Sequence, residues 1–222
     1  MERIMTIKQV SAKMDLRLNK GASGDYDNLW SYQKQEAFHK SINEWTRRQI
    51  HGVNALREGD EETSMRVDDL QVLLKEDKLS FRDKGLYVET NKLPEDYIYF
   101  KRLTPLASKG NCDNQKLQSY FKEEANVDSL LDICSFDFEE TFHTLIGNKA
   151  RVYHNEDFSI NQINLVYYRK PKQYNFKKLE TVVEFKDDVC ELLIDEACKI
   201  IASDLENGNQ KTLAQERVEN NN

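Results

Sequence analysis

The chain has few of the residues and runs that mark a particular chemistry. Its four cysteines include no Cys-x-x-Cys pair, which argues against zinc-finger and thioredoxin-type motifs and predicts a reduced intracellular protein without a cofactor. It contains no Gly-x-Ser-x-Gly elbow and no glycine-rich phosphate loop, so no hydrolase or nucleotide-binding enzyme is indicated. No run of 18 apolar residues occurs, and we expect neither secretion nor membrane spanning.

Charged residues, in contrast, are abundant. They make up 32% of the 222 residues and give a formal net charge of −7. The mean hydropathy of −0.76 is low for a compact monomer and is typical of a chain with much solvated or partner-facing surface. Because counterion release needs clustered Lys and Arg, an acidic chain is not a general nucleic-acid coat, although one local basic segment could still contact DNA.

Three stretches have the apolar spacing of amphipathic helices. Thr6 is placed to cap the first, and the second carries both tryptophans, so we expect it to pack against the third. The third has the widest apolar stripe and is predicted to stop near Gly208, before a flexible tail over residues 209–222. The predicted helices cover residues 6–18, 28–50 and 186–205.

Between these helices the pattern favours β-strands. In residues 163–168 every second side chain is apolar, as in a half-buried strand, and Pro171 ends the run. We expect an antiparallel sheet of two hairpins and an extra strand, with a loop over residues 105–115 and a short helix near residues 136–145. The predicted class is therefore α+β, as one domain over residues 1–208. The predicted strands lie near residues 79–81, 86–89, 97–103, 149–154 and 160–169.

Two Glu-x-x-His units are the most catalytic-looking feature of the sequence. Glu36 and His39 form one unit, and Glu140 and His143 form the other. On helices, each unit would place a carboxylate and an imidazole on one face, as in di-metal carboxylate bundles. Such bundles need four long helices and further glutamates, whereas strand patterns separate the two units here. Surface or capping roles for these residues are therefore favoured over a metal site.

The charges of the C-terminal part are segregated. Residues 158–179 contain five bases and no acid, whereas residues 180–206 contain nine acids and two bases. The simplest interpretation is two solvated surfaces. A second is that the basic segment of one subunit meets the acidic helix of the next. A third is that a basic strip, defined as Lys170, Lys172, Lys177 and Lys178, faces passing DNA.

The order of these elements resembles a known family. The relevant features are the N-terminal helices, the Leu-Pro-Glu-Asp-Tyr entry at residues 93–97, the segment at residues 138–153, and the closing acidic helix. Together they resemble the head-to-tail connector (adaptor, or ring) proteins of short-tailed bacteriophages. The Tyr-Tyr-Arg-Lys-Pro sequence at residues 167–171 and the Asn- and Lys-rich composition are most similar to ring proteins of crAss-like phages.

This resemblance implies a non-enzymatic virion protein, assembled in the host cytoplasm, that forms a twelve-fold ring beneath the portal protein. Such a ring would extend the channel for genomic DNA and bind other connector rings or tail proteins. The alternatives are a phage module that recruits a protein partner through an aromatic strand and, last, a di-metal protein. The residues predicted to contact subunits or the portal are Tyr97, Tyr99, Phe100, Tyr167, Tyr168, Arg169, Lys170, Lys172, Asp187, Asp188, Glu191 and Asp195.

Overall fold

The computed structural model describes residues 5–21, 29–51, 68–127, 131, 138–154 and 157–219, and the chain divides into two compact units. The helical unit comprises Met1–Val72 and Pro171–Asn222, and the β unit comprises Leu73–Lys170. Helices and largely antiparallel sheets confirm the predicted α+β class. Residue 28, the predicted start of the second helix, lies outside the described part.

The helical unit contains α1 (Ile7–Gly21), α2 (Ser31–His51) and α3 (Asp187–Glu219). Thr6 and Gln9 form a reciprocal cap at the start of α1, with the Gln9 N–H donating to Thr6 Oγ1 at 3.4 Å and the Thr6 N–H donating to Gln9 Oε1 at 2.9 Å. The predicted stop near Gly208 is wrong, because α3 continues to Glu219. One glycine inside a helix costs only about 1 kcal/mol relative to alanine.

The apolar faces of the three helices form the interior of this unit. As predicted, α2 packs against α3, and α1 packs there as well. Trp45 of α2 contacts Phe185, just before α3, with their ring centroids 5.4 Å apart, whereas Trp30 is 68% exposed. The helix residues buried in this interior include Ile7, Val10, Met14, Leu18, Ala37, Phe38, Ile42, Trp45, Val189, Leu193, Ile194, Ala197 and Ile201.

A non-helical segment over residues 171–186, which we call the strap, leads into α3. Its backbone hydrogen-bonds to the start of α1, with the Ile7 N–H donating to Thr181 O and the Val183 N–H donating to Met5 O, both at 2.9 Å. Tyr174 and Phe176 of the strap are buried against Phe38. These contacts fix the strap to the helices despite its lack of regular secondary structure.

The β unit has nine strands among its described residues, in two sheets. One sheet has the order β1-β9-β4-β5 and is antiparallel, and the other has the order β2-β3-β8-β7-β6 with one parallel pair, β6 with β7. Side chains from both sheets form one hydrophobic core. The strands are β1 (Leu74–Leu79), β2 (Phe81–Asp83), β3 (Tyr87–Thr90), β4 (Tyr97–Lys109), β5 (Cys112–Lys116), β6 (Gln118–Phe121), β7 (Glu140–Ile146), β8 (Lys149–Tyr153) and β9 (Ser159–Arg169).

Of the two predicted hairpins, the second is wrong. Residues 149–154 and 160–169 do not form a hairpin, because β8 pairs with β3 and β7 whereas β9 pairs with β1 and β4 in the other sheet. At the first, β2 pairs antiparallel with β3, but the predicted strand at residues 79–81 is divided between the end of β1 and the start of β2. In both places the chain passes from one sheet to the other, so neighbouring strands in sequence are not neighbours in a ladder.

Two further predictions mistook strands for other structure. Residues 140–146 form β7 instead of a helix, since the β-branched and aromatic run Thr141, Phe142, Thr144 and Ile146 suits a buried strand. The predicted loop at residues 105–115 is mostly strand. Pro105 is tolerated inside β4 because its backbone faces away from β9. Its carbonyl accepts a hydrogen bond from the Leu117 N–H on that side, so the N–H that proline lacks is not needed for pairing with β9.

Candidate interaction surfaces

The aromatic strand β4 begins at the surface of the β unit. Tyr99 is 41% exposed and Ile98 is 40% exposed, while Tyr97 and Phe100 are half-buried. On the neighbouring strand β9, Tyr168 is 6% exposed and lies directly opposite Tyr99 in the register. The structure therefore leaves the first residues of β4 available for contact, whereas the side chain of Tyr168 is buried.

Tyr167 is fully buried in the core of the β unit, which argues against a direct contact of its side chain with another subunit. Its hydroxyl lies 2.7 Å from Asp77 Oδ2 and 2.7 Å from Asp96 Oδ1. Lys75 Nζ completes the group, at 3.0 Å from Asp77 Oδ2 and 3.3 Å from Asp96 Oδ2. One hydroxyl hydrogen is shared by two carboxylates, and the Lys75 ammonium compensates their charge.

The electrostatics of this group follow from its burial. Burial and the two neighbouring carboxylates raise the pKa of Tyr167, which keeps the phenol protonated and donating. Burial pushes the pKa of Asp96 upward, but the bonds from Tyr167 and Lys75 and the Lys75 charge outweigh it, and the net pKa is lowered. The group thus ties β1 and the start of β4 to β9. Sequence reasoning missed it because its acids are 19 residues apart, with no shared motif.

The predicted basic strip crosses the boundary between the two units. Lys170 belongs to the β unit, where its side chain is exposed and its N–H donates to Asp96 O at 2.7 Å, and Arg169 before it is half-buried. Lys172, Lys177 and Lys178 lie on the strap of the helical unit, all with exposed side chains. The lysines of the predicted strip are therefore divided between the two units.

The strap lysines differ in their surroundings. Lys172 has its N–H bonded to Glu184 Oε1 at 2.8 Å and its ammonium 3.8 Å from Glu184 Oε2. Lys177 and Lys178 have no carboxylate within salt-bridge distance among the described residues. The strap thus carries at least two cations whose charge no described carboxylate neutralises at close range.

Three acids of α3, Glu191, Asp195 and Glu196, are in contrast paired with basic residues inside the helical unit. Glu191 forms ion pairs with Lys13 and Arg17 of α1, and Asp195 lies 3.0 Å from Arg17. The bond from Lys13 and the nearby Arg17 charge hold the pKa of Glu191 below its usual range despite partial burial. Of the other predicted contact residues, Asp187 is half-buried and Asp188 is exposed.

The first Glu-x-x-His unit has a structural role for its histidine. His39 accepts a hydrogen bond at Nε2 from the Tyr174 N–H at 2.7 Å, and one turn earlier Gln35 accepts one from the Phe176 N–H at 3.1 Å. Burial lowers the pKa of His39, so the imidazole stays neutral and keeps the lone pair that this bond requires. Glu36 is exposed on the same helix.

The second unit is on strand β7, so the predicted helix face is wrong. Its glutamate, Glu140, is exposed, whereas His143 is 1% exposed and has Nδ1 2.7 Å from Ser119 Oγ. Burial lowers the pKa of His143 to about 4. Phe100 and Phe121 flank the ring, with centroids 5.1 Å and 5.8 Å away. Over the described ranges, no group of three or more His, Cys, Asp or Glu is placed to hold a metal ion.

A groove of about 380 Å³ lies between α2 and α3 in the helical unit. Tyr32, 61% exposed, stands at this groove, and the exposed Trp30 precedes it in the chain. The sequence showed the apolar stripes of both helices but not the gap between them. The groove is lined by Leu29, Tyr32, Gln33, Glu36, Ala37, Lys40, Ile200, Ile201 and Asp204.

Comparison with known proteins identifies no relative: no protein-family model matches the chain, and no curated protein sequence matches it. Among the described helices, none is both long enough and apolar enough to cross a membrane. The residues and their geometry therefore carry the functional argument.

Replacing Tyr167 by phenylalanine tests the buried hydroxyl. The variant leaves Asp77 and Asp96 facing each other without their shared donor, and we expect the free energy of unfolding to fall by about 1–3 kcal/mol. Tyr168→Phe is the matched control, because the Tyr168 hydroxyl makes no hydrogen bond among the described residues, and we expect a change within about 0.5 kcal/mol. Urea unfolding followed by circular dichroism measures both. Equal losses would contradict the assignment.

Alanine substitution separates the structural and metal-binding interpretations of the first Glu-x-x-His unit. His39→Ala leaves the buried Tyr174 N–H without an acceptor and should cost about 1–3 kcal/mol of unfolding free energy, whereas Glu36→Ala should cost less than about 0.5 kcal/mol. If the pair held a metal, both variants would instead reduce bound metal in parallel.

The same contact predicts a pH dependence. Because the folded pKa of His39 is lowered, its contribution is complete above the unfolded value of about 6.5 and is lost as the pH falls below it. The His39→Ala variant should lose less stability than the unmodified protein between about pH 7 and pH 5, as read from denaturation midpoints. Identical pH profiles would remove His39 from the explanation.

Proposed function

We propose that this protein is a structural subunit of the head-to-tail connector of a short-tailed bacteriophage, forming a ring beneath the portal. The ring extends the DNA channel and binds tail components. The order of helices, β unit and closing acidic helix supports the proposal by its resemblance to such proteins. Exposed aromatic side chains on both units, such as Trp30, Tyr32 and Tyr99, suit a subunit that buries further surface on assembly.

The observation that carries the proposal is the distribution of charge in the helical unit. Glu191 and Asp195 of α3 are paired with α1, while Lys177 and Lys178 of the strap have no close carboxylate among the described residues. This favours DNA over a neighbour's α3 as the counterpart of the strap lysines. It disfavours the acid-base contact between subunits, since those acids would have to leave Lys13 and Arg17.

A channel must hold DNA weakly enough to let it pass. Two strap lysines that contact phosphates non-specifically give a weak, salt-dependent attraction, and the net charge of −7 repels DNA elsewhere on the subunit. The groove between α2 and α3 offers a place for a side chain or helix of the portal or of the next ring. In this proposal, DNA and protein partners therefore use different surfaces.

Assembly is the direct test. Mass photometry and negative-stain imaging of the purified protein, alone and mixed with its cognate portal, should show rings or a complex whose stoichiometry follows the portal symmetry. A stable monomer that ignores the portal would reject the connector. That result would favour a binding module that recruits a protein partner through the exposed start of β4.

Neutralising the strap lysines tests the DNA contact separately. In the double variant Lys177→Ala and Lys178→Ala, we expect weaker binding to duplex DNA and a log–log salt slope reduced by about 1.8, which is about 0.9 for each lost phosphate contact. Fluorescence anisotropy over a salt series measures the slope.

The matched control removes the same charge from exposed lysines of the β unit, through Lys84→Ala and Lys92→Ala. We expect this control to leave the slope unchanged. Equal changes in both double variants would mean that net charge alone governs the binding, and the strap would lose its assigned role.

A further inference from the structure

The start of strand β4 is irregular. Between Tyr97 and Tyr99, and again between Phe100 and Arg102, β4 has one more residue than the facing part of β9. An extra residue of this kind forms a β-bulge, which bends the strand and redirects the side chains around it. In a regular strand, Tyr99 and Arg102 would lie on opposite faces of the sheet, because they are three residues apart. The second bulge places them on the same face.

The pairing with β9 identifies this face. Tyr99 lies opposite Tyr168 and Arg102 lies opposite Val166, and the core residue Tyr167 between these two partners points the other way. Tyr99 is 41% exposed, the Arg102 side chain is also exposed, and Arg102 makes no ion pair among the described residues. The outer face of the sheet therefore presents an aromatic ring and an uncompensated guanidinium at neighbouring positions. Tyr and Arg are among the residue types that contribute most to binding at protein interfaces.

The groove between α2 and α3 has the opposite character. Its apolar lining includes the buried Ala37 and Ile201, and it carries the exposed carboxylates of Glu36 on α2 and Asp204 on α3. Neither carboxylate makes an ion pair within the described ranges, and Lys40 is the one base among the described lining residues, so the lining is negatively charged. A volume of about 380 Å³ is near the lower end of the range of about 300–1,000 Å³ for ligand pockets, which suits one or two side chains better than a helix.

We propose that the start of β4 of one subunit binds in the groove between α2 and α3 of the next subunit of the same ring. Tyr99 enters the groove, and Arg102 pairs with Glu36 and Asp204. The inference rests on the proposed function, because it names the contact that joins neighbouring subunits. This contact is heterologous: each subunit offers its β4 to one neighbour and its groove to the other, as a closed ring requires.

Two observations favour a second copy of this chain as the occupant of the groove. The local charges are opposite, since the described lining carries two acids and one base, whereas residues 98–102 include Lys101 and Arg102 and no acid. A heterologous contact also buries both exposed surfaces in every subunit, whereas a different protein in the groove would leave Ile98 and Tyr99 in water. The strap lysines take no part, so DNA and the neighbouring subunit still use different surfaces.

Charge reversal tests the pairing. Arg102→Glu and the double variant Glu36→Lys, Asp204→Lys should each raise the concentration at which half of the subunits are in rings at least about ten-fold, because like charges then meet across the contact. Arg82→Glu, at an exposed arginine of β2 in the same unit as Arg102, is the matched control and should change this concentration less than about two-fold. Sedimentation velocity over a concentration series measures it, with the portal present if rings need it.

Mixing the two charge variants gives an independent test. In an equimolar mixture, the glutamate introduced at position 102 meets the lysines introduced in the groove of the other variant. The unchanged Arg102 of that second variant meets the unchanged Glu36 and Asp204 of the first. Rings with alternating subunits should therefore form at the concentration at which the unmodified protein forms them. Such recovery is expected only from a heterologous contact between these two surfaces.

Truncation tests the aromatic part of the contact. Tyr99→Ala should raise the half-assembly concentration at least about ten-fold, as expected for an aromatic residue near the centre of an interface. Leu86→Ala, at a residue that is 62% exposed in the same unit, is the control and should change it less than about two-fold. If Tyr99→Ala also lowers the melting temperature, the mixture of charge variants decides.

The outcomes separate this contact from the connector itself. Rings that form equally well in Arg102→Glu and Arg82→Glu would overturn the inference and leave the connector standing. A mixture that does not recover rings, when both charge variants melt close to the unmodified protein, would do the same. A protein that neither self-associates nor joins its portal would instead reject the connector, and the subunit contact with it.

Discussion

The packing and strand register of the β unit depend on the buried face of strand β9. Ile163, Leu165 and Tyr167 are all fully buried, and β9 pairs with β1 on one side and with β4 on the other. Burying one such side chain contributes about 1.5–3 kcal/mol, so these three residues alone supply a large part of the stability of a small unit. A slip of one residue in the register would turn all three outward, and the alternation of β9 therefore fixes the position of its neighbours. The hydroxyl of Tyr167 strengthens this arrangement, because its bonds to Asp77 and Asp96 hold both neighbours in register.

The helical unit is held together in a different way. Its strap has no regular ladder of backbone hydrogen bonds. Several of its backbone N–H groups instead donate to side chains, such as those of Gln35 and His39 of α2. Glu191 and Asp195 of α3 are compensated by Lys13 and Arg17 of α1. Each exposed ion pair stabilises the fold by only about 0–1 kcal/mol, but together the pairs determine which charges remain for a partner. This is the link from packing to function, since pairing within the unit leaves Lys177 and Lys178 as the cations that a phosphate backbone can use.

The features that could be predicted from the sequence are those that local periodicity determines, namely helices and the buried face of a strand. Helical spacing located α1, α2 and the first half of α3, and alternation in residues 163–168 identified the buried face of β9. The spacing of Phe138, Phe142 and Leu145 is also compatible with a helix, which explains the wrong prediction for β7. Sheet membership could not be predicted, because a short connection between β8 and β9 can turn back into a hairpin or cross to another sheet. The group around Tyr167 was equally inaccessible, since Lys75, Asp77 and Asp96 meet only after β1, β4 and β9 are aligned.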